Sequence, residues 1–170
     1  MPDSQTEANV QLSNLTEADI PLLLDMLYAL GKSDGVSQIT TSKADILEHF
    51  FGKAPIAFAR LICYGRQIAG FIIFSWKWAS FTGKKEIYMQ ALYIMPPFRR
   101  QGLARSAMAA LASIALANGC SRIEWYLVKD KAMSHDFYAS IGAHLLEHMA
   151  IGRLSGRNLA ELAQISPAAS

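Results

Sequence analysis

The sequence predicts an α/β (α+β) fold, in which strands and helices alternate within one domain. Two apolar runs with strand composition, Phe58–Tyr64 and residues 68–74, are joined at Gly65-Arg66, and this arrangement predicts an antiparallel hairpin. Further along, an apolar run over residues 89–95 is followed, after a short turn, by a helical pattern. Small and apolar residues then recur at the spacing of one helical face: Ala104, Ala107, Met108, Leu111, Ile114 and Ala115.

The N-terminal part of the chain predicts one short strand and two helices. Residues 10–12 have strand composition. Thr16 is the expected N-cap of the first helix, because acidic residues follow it in the first turn, and Gly31 is its expected end. Thr41 or Ser42 is the expected cap of the second helix.

After the helix that ends at Asn118-Gly119, the C-terminal part again alternates between predicted strands and helices. Residues 122–128 are predicted to form a strand. We expect a short helix over residues 132–141, a last strand region over residues 144–154, and a short terminal helix over residues 159–164.

Length and composition indicate a single folded domain. Of the 170 residues, 52% are hydrophobic and 18% are charged, which is enough apolar material for one core and too little charge for a disordered chain. We therefore expect one domain over residues 1–170. Its core is expected over about 10–155, and residues 1–9 and 165–170 are expected to be flexible.

Charge and cysteine usage exclude several classes of partner. The net charge of +2 and the absence of a run of like charges give no basis for nucleic-acid binding. Two cysteines, Cys63 and Cys120, make neither a disulfide framework nor a metal set, so we expect no metal. No apolar run is long enough to cross a bilayer, and we expect a cytoplasmic protein without a membrane partner.

The turn before the long helix, Arg99-Arg100-Gln101-Gly102-Leu103-Ala104, has the chemistry of an anion site. The first N–H groups of a helix lack internal partners, and the helix dipole adds partial positive charge there. Gly102 and the small Ala104 allow close approach to the backbone, and Arg99 and Arg100 can add charge-assisted contacts. From the spacing alone, an ordinary connection with a solvated arginine pair fits equally well.

This turn resembles the pyrophosphate-binding motif of the GNAT superfamily of acetyl-CoA-dependent N-acetyltransferases, Q/R-x-x-G-x-G/A. A strand ending in Leu-Tyr-Ile-Met-Pro precedes it, and Phe137-Tyr138-Ala139-Ser140-Ile141-Gly142-Ala143 resembles the family's F-Y-x-x-x-G-F/A signature. Within the superfamily the chain is most similar to the diamine (spermidine/spermine) N-acetyltransferases. Its Ile87-Tyr88 lead-in, the strand end at Tyr93-Ile94-Met95-Pro96 and Gly119-Cys120-Ser121 support that similarity.

The resemblance implies a fold, an activity and an assembly. The GNAT fold is a mixed, mostly antiparallel central sheet flanked by helices. The implied reaction is transfer of the acetyl group of acetyl-CoA to a primary amine of a small molecule by direct attack, and the implied assembly is a homodimer.

The resemblance also implies roles for individual residues. The central strand would pair its backbone with the carbonyl and pantetheine of acetyl-CoA, and the turn would hold the pyrophosphate. Tyr138 would be the general acid toward the CoA thiolate. The implied cofactor-binding residues are Leu92, Tyr93, Ile94, Arg99, Arg100, Gln101, Gly102, Leu103, Ala104 and Arg105. Lys131 stands where the family has an Asn that contacts CoA, and it is either a further cofactor-binding residue that pairs with a phosphate or a surface lysine.

The chain departs from the diamine group where the amine must lose its proton. A primary amine attacks only when neutral, yet its unperturbed pKa lies near about 10. Diamine acetyltransferases typically carry Glu-Asp in the central strand, where this chain has Gln90 and Ala91, and neither can accept a proton. Glu86, Glu124 and His135 are other candidate bases. A water chain, or a substrate of low pKa, would need none.

Two questions stay open at this level. The aromatic segment over residues 76–81 either packs in the sheet or lines an acceptor pocket, where aromatic faces attract cationic amines. The missing acids also allow a CoA-binding regulatory domain that has lost catalysis, although the retained Arg99, Gly102 and Tyr138 favour an enzyme. The acceptor is equally open, since an amino acid, a peptide or protein terminus, or an aminoglycoside would also present an amine.

Overall fold

The structure is a computed structural model that describes residues 10–165. The described chain divides into two compact units, which meet in sequence between Lys131 and Ala132. The terminal residues 1–9 and 166–170, part of the ends expected to be flexible, lie outside the described range. The single domain expected over residues 1–170 stays a prediction.

Among its described residues the first unit contains a five-stranded sheet and three α-helices. In chain order these are β1 (Val10–Asn14), α1 (Ile20–Ser33), α2 (Lys43–Phe51), β2 (Phe58–Tyr64), β3 (Gln67–Ala79), β4 (Lys84–Ile94), α3 (Leu103–Ala117) and β5 (Ile123–Glu124). The second unit contains two helices, α4 (Ala132–Ser140) and α5 (Gly156–Leu162). No helix within residues 10–165 is long and apolar enough to cross a membrane.

The sheet has the order β1-β2-β3-β4-β5, and it is mixed. The first three pairings are antiparallel, and β4 pairs with β5 in parallel. The predicted hairpin at Gly65 is confirmed as the β2–β3 connection, and β3 continues through the aromatic segment to Ala79. The predicted α/β fold with a mostly antiparallel sheet flanked by helices is therefore confirmed.

Helices cover both faces of the sheet because neighbouring strand residues point in opposite directions. On β2, the buried Leu61 belongs to one core with Leu23 of α1 and Ile46 of α2. Its neighbour Ile62 belongs to a second core with Leu103 of α3. The sheet thus separates α1 and α2 from α3, and β4 lies between the two layers.

The first helix corrects two expectations, and the second helix settles a third. Thr16 precedes a short 3-10 helix over Glu17–Asp19, and α1 itself begins after Asp19, which is its N-cap. Helix α1 also continues through Gly31 to Ser33. A Cβ at Gly31 would lie 2.3 Å from Cδ1 of Ile39, so this glycine marks a close packing contact and not a helix end. The second helix starts after Ser42, whose hydroxyl accepts a hydrogen bond from the Asp45 N–H at 3.2 Å.

Gly31→Ala is expected to change the free energy of unfolding by less than about 1 kcal/mol, because two effects oppose each other. Alanine is the better helix former, whereas the added methyl must displace Cδ1 of Ile39, the end of a flexible and only half-buried side chain. Chemical denaturation of the variant measures the change. A loss of more than about 2 kcal/mol would show that Ile39 cannot yield and that the contact is overpacked.

Two expected strands are shorter or absent. The strand expected over residues 122–128 contracts to Ile123–Glu124. Residues 144–154, expected to form a strand, adopt turns and irregular structure, so that prediction is wrong. An apolar run becomes a strand only when another strand pairs with its backbone, and the described part of the second unit contains no strand. The short terminal helix predicted over residues 159–164 is present, but it spans Gly156–Leu162.

Candidate active site

The central strand β4 has one edge that is paired only at its beginning. On one side β4 pairs with β3 along its length. On the other side it pairs with β5 only at Ile87↔Ile123 and Tyr88↔Glu124. Residues 89–94 have no strand partner on that side within the described chain, and we call this stretch the open edge. Its backbone N–H and C=O groups can pair with an extended ligand that lies against it as an added strand.

A β-bulge lies within the open edge. The β3–β4 register passes from Ile73↔Ala91 to Phe74↔Met89, which leaves Gln90 without a partner residue. The Gln90 side chain is exposed, and its Nε2 donates a hydrogen bond to the Ser75 hydroxyl at 3.4 Å. Gln90, which stands where the diamine group carries the first of its two carboxylates, therefore reaches solvent at the bulge.

The predicted cofactor-contacting residues Leu92, Tyr93 and Ile94 follow this bulge. Tyr93 is 6% exposed and its ring packs 5.9 Å from that of Phe71, while Ile94 belongs to the core beneath α3. Because these two side chains are buried, a ligand at this point of the strand would meet their backbone. This is compatible with the strand-like pairing that the family resemblance implies, which stays a prediction.

The turn after β4 is held by side-chain contacts to the strand end. Arg99 donates a hydrogen bond from Nε to the Ile94 carbonyl at 2.9 Å, and its guanidinium carbon lies 5.7 Å from the centre of the Tyr93 ring. Gln101 donates from Nε2 to the Pro97 carbonyl at 3.1 Å. Both residues therefore fix the turn, a role that the sequence pattern did not reveal.

The backbone of the turn takes left-handed conformations at two positions. Arg100 has φ 61°, the one positive φ of a non-glycine residue in the described chain, and Gly102 has φ 81°. Such conformations turn successive N–H groups toward one side, a geometry that binds anions. Arg100 itself is exposed, so its side chain is available to a ligand.

Helix α3 begins directly at this turn with Gly102 as its N-cap. The Ser106 N–H donates to the Gly102 carbonyl at 3.1 Å, so the N–H groups of Leu103 and Ala104 precede this first helical bond. A Cβ at Gly102 would meet nothing within 4 Å, which leaves open space at the helix start. Arg105 lies in the first turn and is exposed. This arrangement fits a pyrophosphate group.

Four charged side chains surround the beginning of β4, and we call them the ion-pair group: Lys77, Glu86, Arg122 and Glu124. The Glu86 carboxylate is completely buried, with Arg122 Nε at 2.7 Å and Lys77 Nζ at 3.6 Å. Arg122 Nε also lies 2.9 Å from Glu124, and Lys77 is bonded to Glu124. Neither Glu86 oxygen receives a well-directed hydrogen bond, so its contacts are ion pairs.

The ion-pair group bears on which residue accepts the proton of the amine. The hydrogen bond to Glu124 raises the pKa of Lys77, which keeps that ammonium charged. Glu86 and Glu124 each face two cations, Lys77 and Arg122. Both carboxylates are thus already engaged in ion pairs, and that of Glu86 is in addition completely buried. The third candidate base, His135, belongs to α4 in the second unit.

Tyr138 also lies on α4 and is half-buried. Burial raises its pKa to about 12. The hydroxyl therefore stays protonated at neutral pH and up to a higher pH than an ordinary tyrosine. The helix closes just after it, where the Ala143 N–H donates to the Tyr138 carbonyl at 3.0 Å and Gly142 takes φ 85°. The glycine of the F-Y-x-x-x-G signature thus ends the helix that presents the tyrosine.

Lys131 and the aromatic segment have other contacts than the sequence suggested. Lys131 is ion-paired with Asp34, next to the end of α1, so its role toward a phosphate stays a prediction. Trp76 packs at 5.7 Å from Phe74, whereas Phe81 at the turn between β3 and β4 is fully exposed. One aromatic of this segment is packed, and another is free to meet a ligand or solvent.

The structure brings most of the predicted cofactor residues together. Residues 92–94 end β4, and residues 99–105 form the turn and the start of α3, so the two sets follow each other in the first unit and are linked by the hydrogen bond from Arg99 to the Ile94 carbonyl. Two features were not predictable by pattern. The bulge at Gln90 and the ion-pair group both depend on the register between strands, and the sequence offers no local signal for either.

A mixed sheet with an open central-strand edge, leading into a glycine turn and a helix, places the protein in one class, the GNAT-type acetyltransferases. The chain belongs to the acetyltransferase (GNAT) family, whose model matches residues 24–143. The superfamily predicted from the turn is therefore confirmed.

Curated relatives and a solved structure agree with this placement. The chain is 30% identical over 118 residues to thialysine N-epsilon-acetyltransferase of Caenorhabditis elegans, covering 69% of this chain and 72% of that protein. It is 29% identical over 89 residues to L-ornithine N5-acetyltransferase of Arabidopsis thaliana, covering 52% of this chain and 39% of that protein. The chain thus spans about two fifths of the plant relative's length.

An integron cassette protein from the mobile metagenome of V. cholerae shares the fold. The TM-score is 0.74 at 20% identity, and the match covers 92% of this chain and 98% of that chain. At this identity the likeness speaks to the fold alone.

Proposed function

We propose that the protein transfers the acetyl group of acetyl-CoA to a primary amine of a small molecule by direct attack. The observation that supports this most strongly is the open edge of β4 leading directly into the glycine turn at the start of α3. An acyl-CoA is an extended amide chain attached to a pyrophosphate. The open edge offers strand-like pairing to the first part, and the turn offers an anion site to the second.

The residues of the two parts have different tasks. The backbone of Leu92, Tyr93 and Ile94 orients the extended chain, while the N–H groups at the start of α3 hold the pyrophosphate. Arg100 and Arg105, both exposed, add positive charge beside it. When bound, acetyl-CoA supplies the activated thioester, and this chain positions it without covalent chemistry of its own.

Proton transfer is divided between one side chain and solvent. We assign to Tyr138 the role of general acid toward the leaving thiolate, as the F-Y-x-x-x-G resemblance implies, and its hydroxyl carries the proton that this role needs. The amine has no unpaired carboxylate at the start of β4, since Glu86 and Glu124 are held by Lys77 and Arg122. We infer that water accepts the proton of the amine, so monoamines and amines of lower pKa are favoured over polyamines.

This inference predicts the effect of Gln90→Glu. A carboxylate at the bulge would supply the missing base and attract a polycation, so kcat/KM for spermidine at about pH 7 should rise by on the order of tenfold. In the wild type the rate should keep rising toward the amine's own pKa. Gln164→Glu is the matched control, because it adds the same charge at an exposed position in the second unit, outside β3 and β4. Efficient spermidine turnover by the wild type near neutral pH would contradict this account.

A domain that binds CoA without catalysis is the competing function, and the missing acids are the observation that favours it. The experiment that separates the two is release of CoA thiol from acetyl-CoA in the presence of individual amines. The panel includes ornithine and thialysine, after the acceptors in the relatives' names, together with spermidine, a peptide and an aminoglycoside. Amine-dependent release supports the enzyme, and binding without release with any amine supports the alternative.

We further propose that the protein acts as a cytoplasmic homodimer. Supporting the dimer, apolar side chains of the second unit are exposed at residues 145–154: Leu145, Leu146, Met149, Ile151 and Leu154. Supporting the compartment, Cys63 and Cys120 are both free thiols. Light scattering at micromolar concentration should give the mass of two chains, and a monomer mass would contradict the dimer.

A further inference from the structure

Among residues 10–165, Glu86 is the one charged residue whose side chain is completely buried. It lies on β4, opposite Lys77 of β3 in the sheet register, and its other neighbour Arg122 comes directly before β5. The two cations are each about half exposed, so only the carboxylate has been removed from water. Removing a charge from water is costly unless its partners are well placed.

The same level of the sheet is where β5 is attached to β4. The attachment consists of two register pairs and two flanking backbone hydrogen bonds. The Ile87 N–H donates to the Arg122 carbonyl at 3.2 Å, and the Ser121 N–H donates to the Lys85 carbonyl at 3.1 Å. Parallel pairing is slightly weaker per residue than antiparallel pairing. Two residue pairs alone would therefore attach β5 only weakly to β4, because the chain leaves β4 immediately after them.

We propose that Glu86 is a positioning residue for acetyl-CoA, because its ion pairs with Lys77 and Arg122 fix the point at which β5 leaves β4. This inference rests on the proposed function, in which acetyl-CoA occupies the open edge. The carboxylate is bound from both sides of β4, so β3, β4 and the residues leading to β5 are joined at one level. The open edge begins directly after that level, at residue 89. The separation between β4 and the chain that follows β5 depends on where β5 departs from β4.

An apolar residue at position 86 would fill the same space without the cost of burying a charge. What the charge adds is geometry, since a carboxylate between two cations is held in one arrangement and an apolar side chain is not. Displacement of a binding surface by about 1 Å is enough to change rates by large factors. The ion-pair group thus determines how far β5 is separated from β4 at the proposed acetyl-CoA site, without contacting the ligand.

Glu86→Gln tests the proposal, because it retains the shape of the side chain and removes its charge. We expect acetyl-CoA affinity, measured by titration calorimetry, to weaken by on the order of tenfold. We also expect faster amide hydrogen exchange at Ile87 and Ser121, the two donors that attach β5. Exchange at Leu61 in β2 should be unchanged, whereas a purely structural role would speed exchange throughout the sheet.

Two further variants keep the test decisive. Arg122→Gln removes a half-exposed partner and should show the same selective changes, so it replaces Glu86→Gln if that protein does not fold. Glu161→Gln is the control, since it breaks an exposed ion pair with Arg157 in the second unit and should change neither measurement. If both Glu86→Gln and Arg122→Gln bind acetyl-CoA with wild-type affinity, this inference is overturned, and the proposed function is unaffected. Absence of acetyl-CoA binding by the wild type would overturn the proposed function as well.

Discussion

Tyr138→Phe is expected to lower kcat by on the order of 100-fold, because positioned general acids contribute about 10²–10⁴ to rate. The substitution removes only the hydroxyl, which is needed when the thiolate leaves. Acetyl-CoA affinity should stay near the wild-type value, so the loss falls in kcat and equally in kcat/KM. Steady-state kinetics under conditions where chemistry limits the rate, together with titration calorimetry, measure both quantities.

The pKa of Tyr138 adds a pH signature to this prediction. Burial raises that pKa to about 12, so the hydroxyl keeps its proton at about pH 10, where an ordinary tyrosine is half ionised. The wild-type rate should therefore show no decline from tyrosine ionisation below about pH 10. Tyr64→Phe, a change of the same kind in β2, should leave kcat unaltered. A wild-type kcat for Tyr138→Phe would remove this residue from the mechanism.

Gly102→Val is expected to abolish most acetyl-CoA binding, with a loss of at least about tenfold. The side chain would enter the open space at the start of α3, where the pyrophosphate is proposed to lie against backbone N–H groups. The left-handed φ of 81° also disfavours a β-branched residue, which costs about 1–2 kcal/mol of stability. Titration calorimetry measures the first effect and chemical denaturation the second.

Gly119→Val separates the two effects. Gly119 follows the other end of α3, has φ 71° and likewise has nothing within 4 Å of a Cβ position. The control should therefore lose comparable stability and keep its acetyl-CoA affinity. Equal affinities of the two variants for acetyl-CoA would show that the turn at Gly102 is not the pyrophosphate site.

The sequence predicts those features of the site that depend on a few neighbouring residues. The helical spacing of α3 and the glycine at its start are visible within a few residues, so the turn and the start of the helix were identified correctly, and the anion chemistry of the turn stays a prediction. The bulge at Gln90 has no such signature. It arises where β3 and β4 change register, and that depends on how the whole pair of strands packs.

The errors have the same physical origin. Gly31 was predicted to end the first helix because glycine commonly follows a helix end. In the structure it lies inside α1 and leaves room for the side chain of Ile39, eight residues further along the chain. Residues 144–154 read as a strand because they are apolar, yet strand formation needs a partner that sequence periodicity cannot reveal. The ion-pair group joins Lys77 to residues nearly fifty positions away, so only the folded register brings it together.

Mass spectrometry of the amine after incubation with the protein and acetyl-CoA tests the central claim most directly. Ornithine, thialysine and spermidine are incubated separately, with the wild type and with Gly102→Val at matched concentrations. The account predicts that at least one small amine gains a single acetyl group in a reaction that requires acetyl-CoA, and that Gly102→Val forms far less product. Acetyl-CoA binding by the wild type without an acetylated product from any small amine would contradict it.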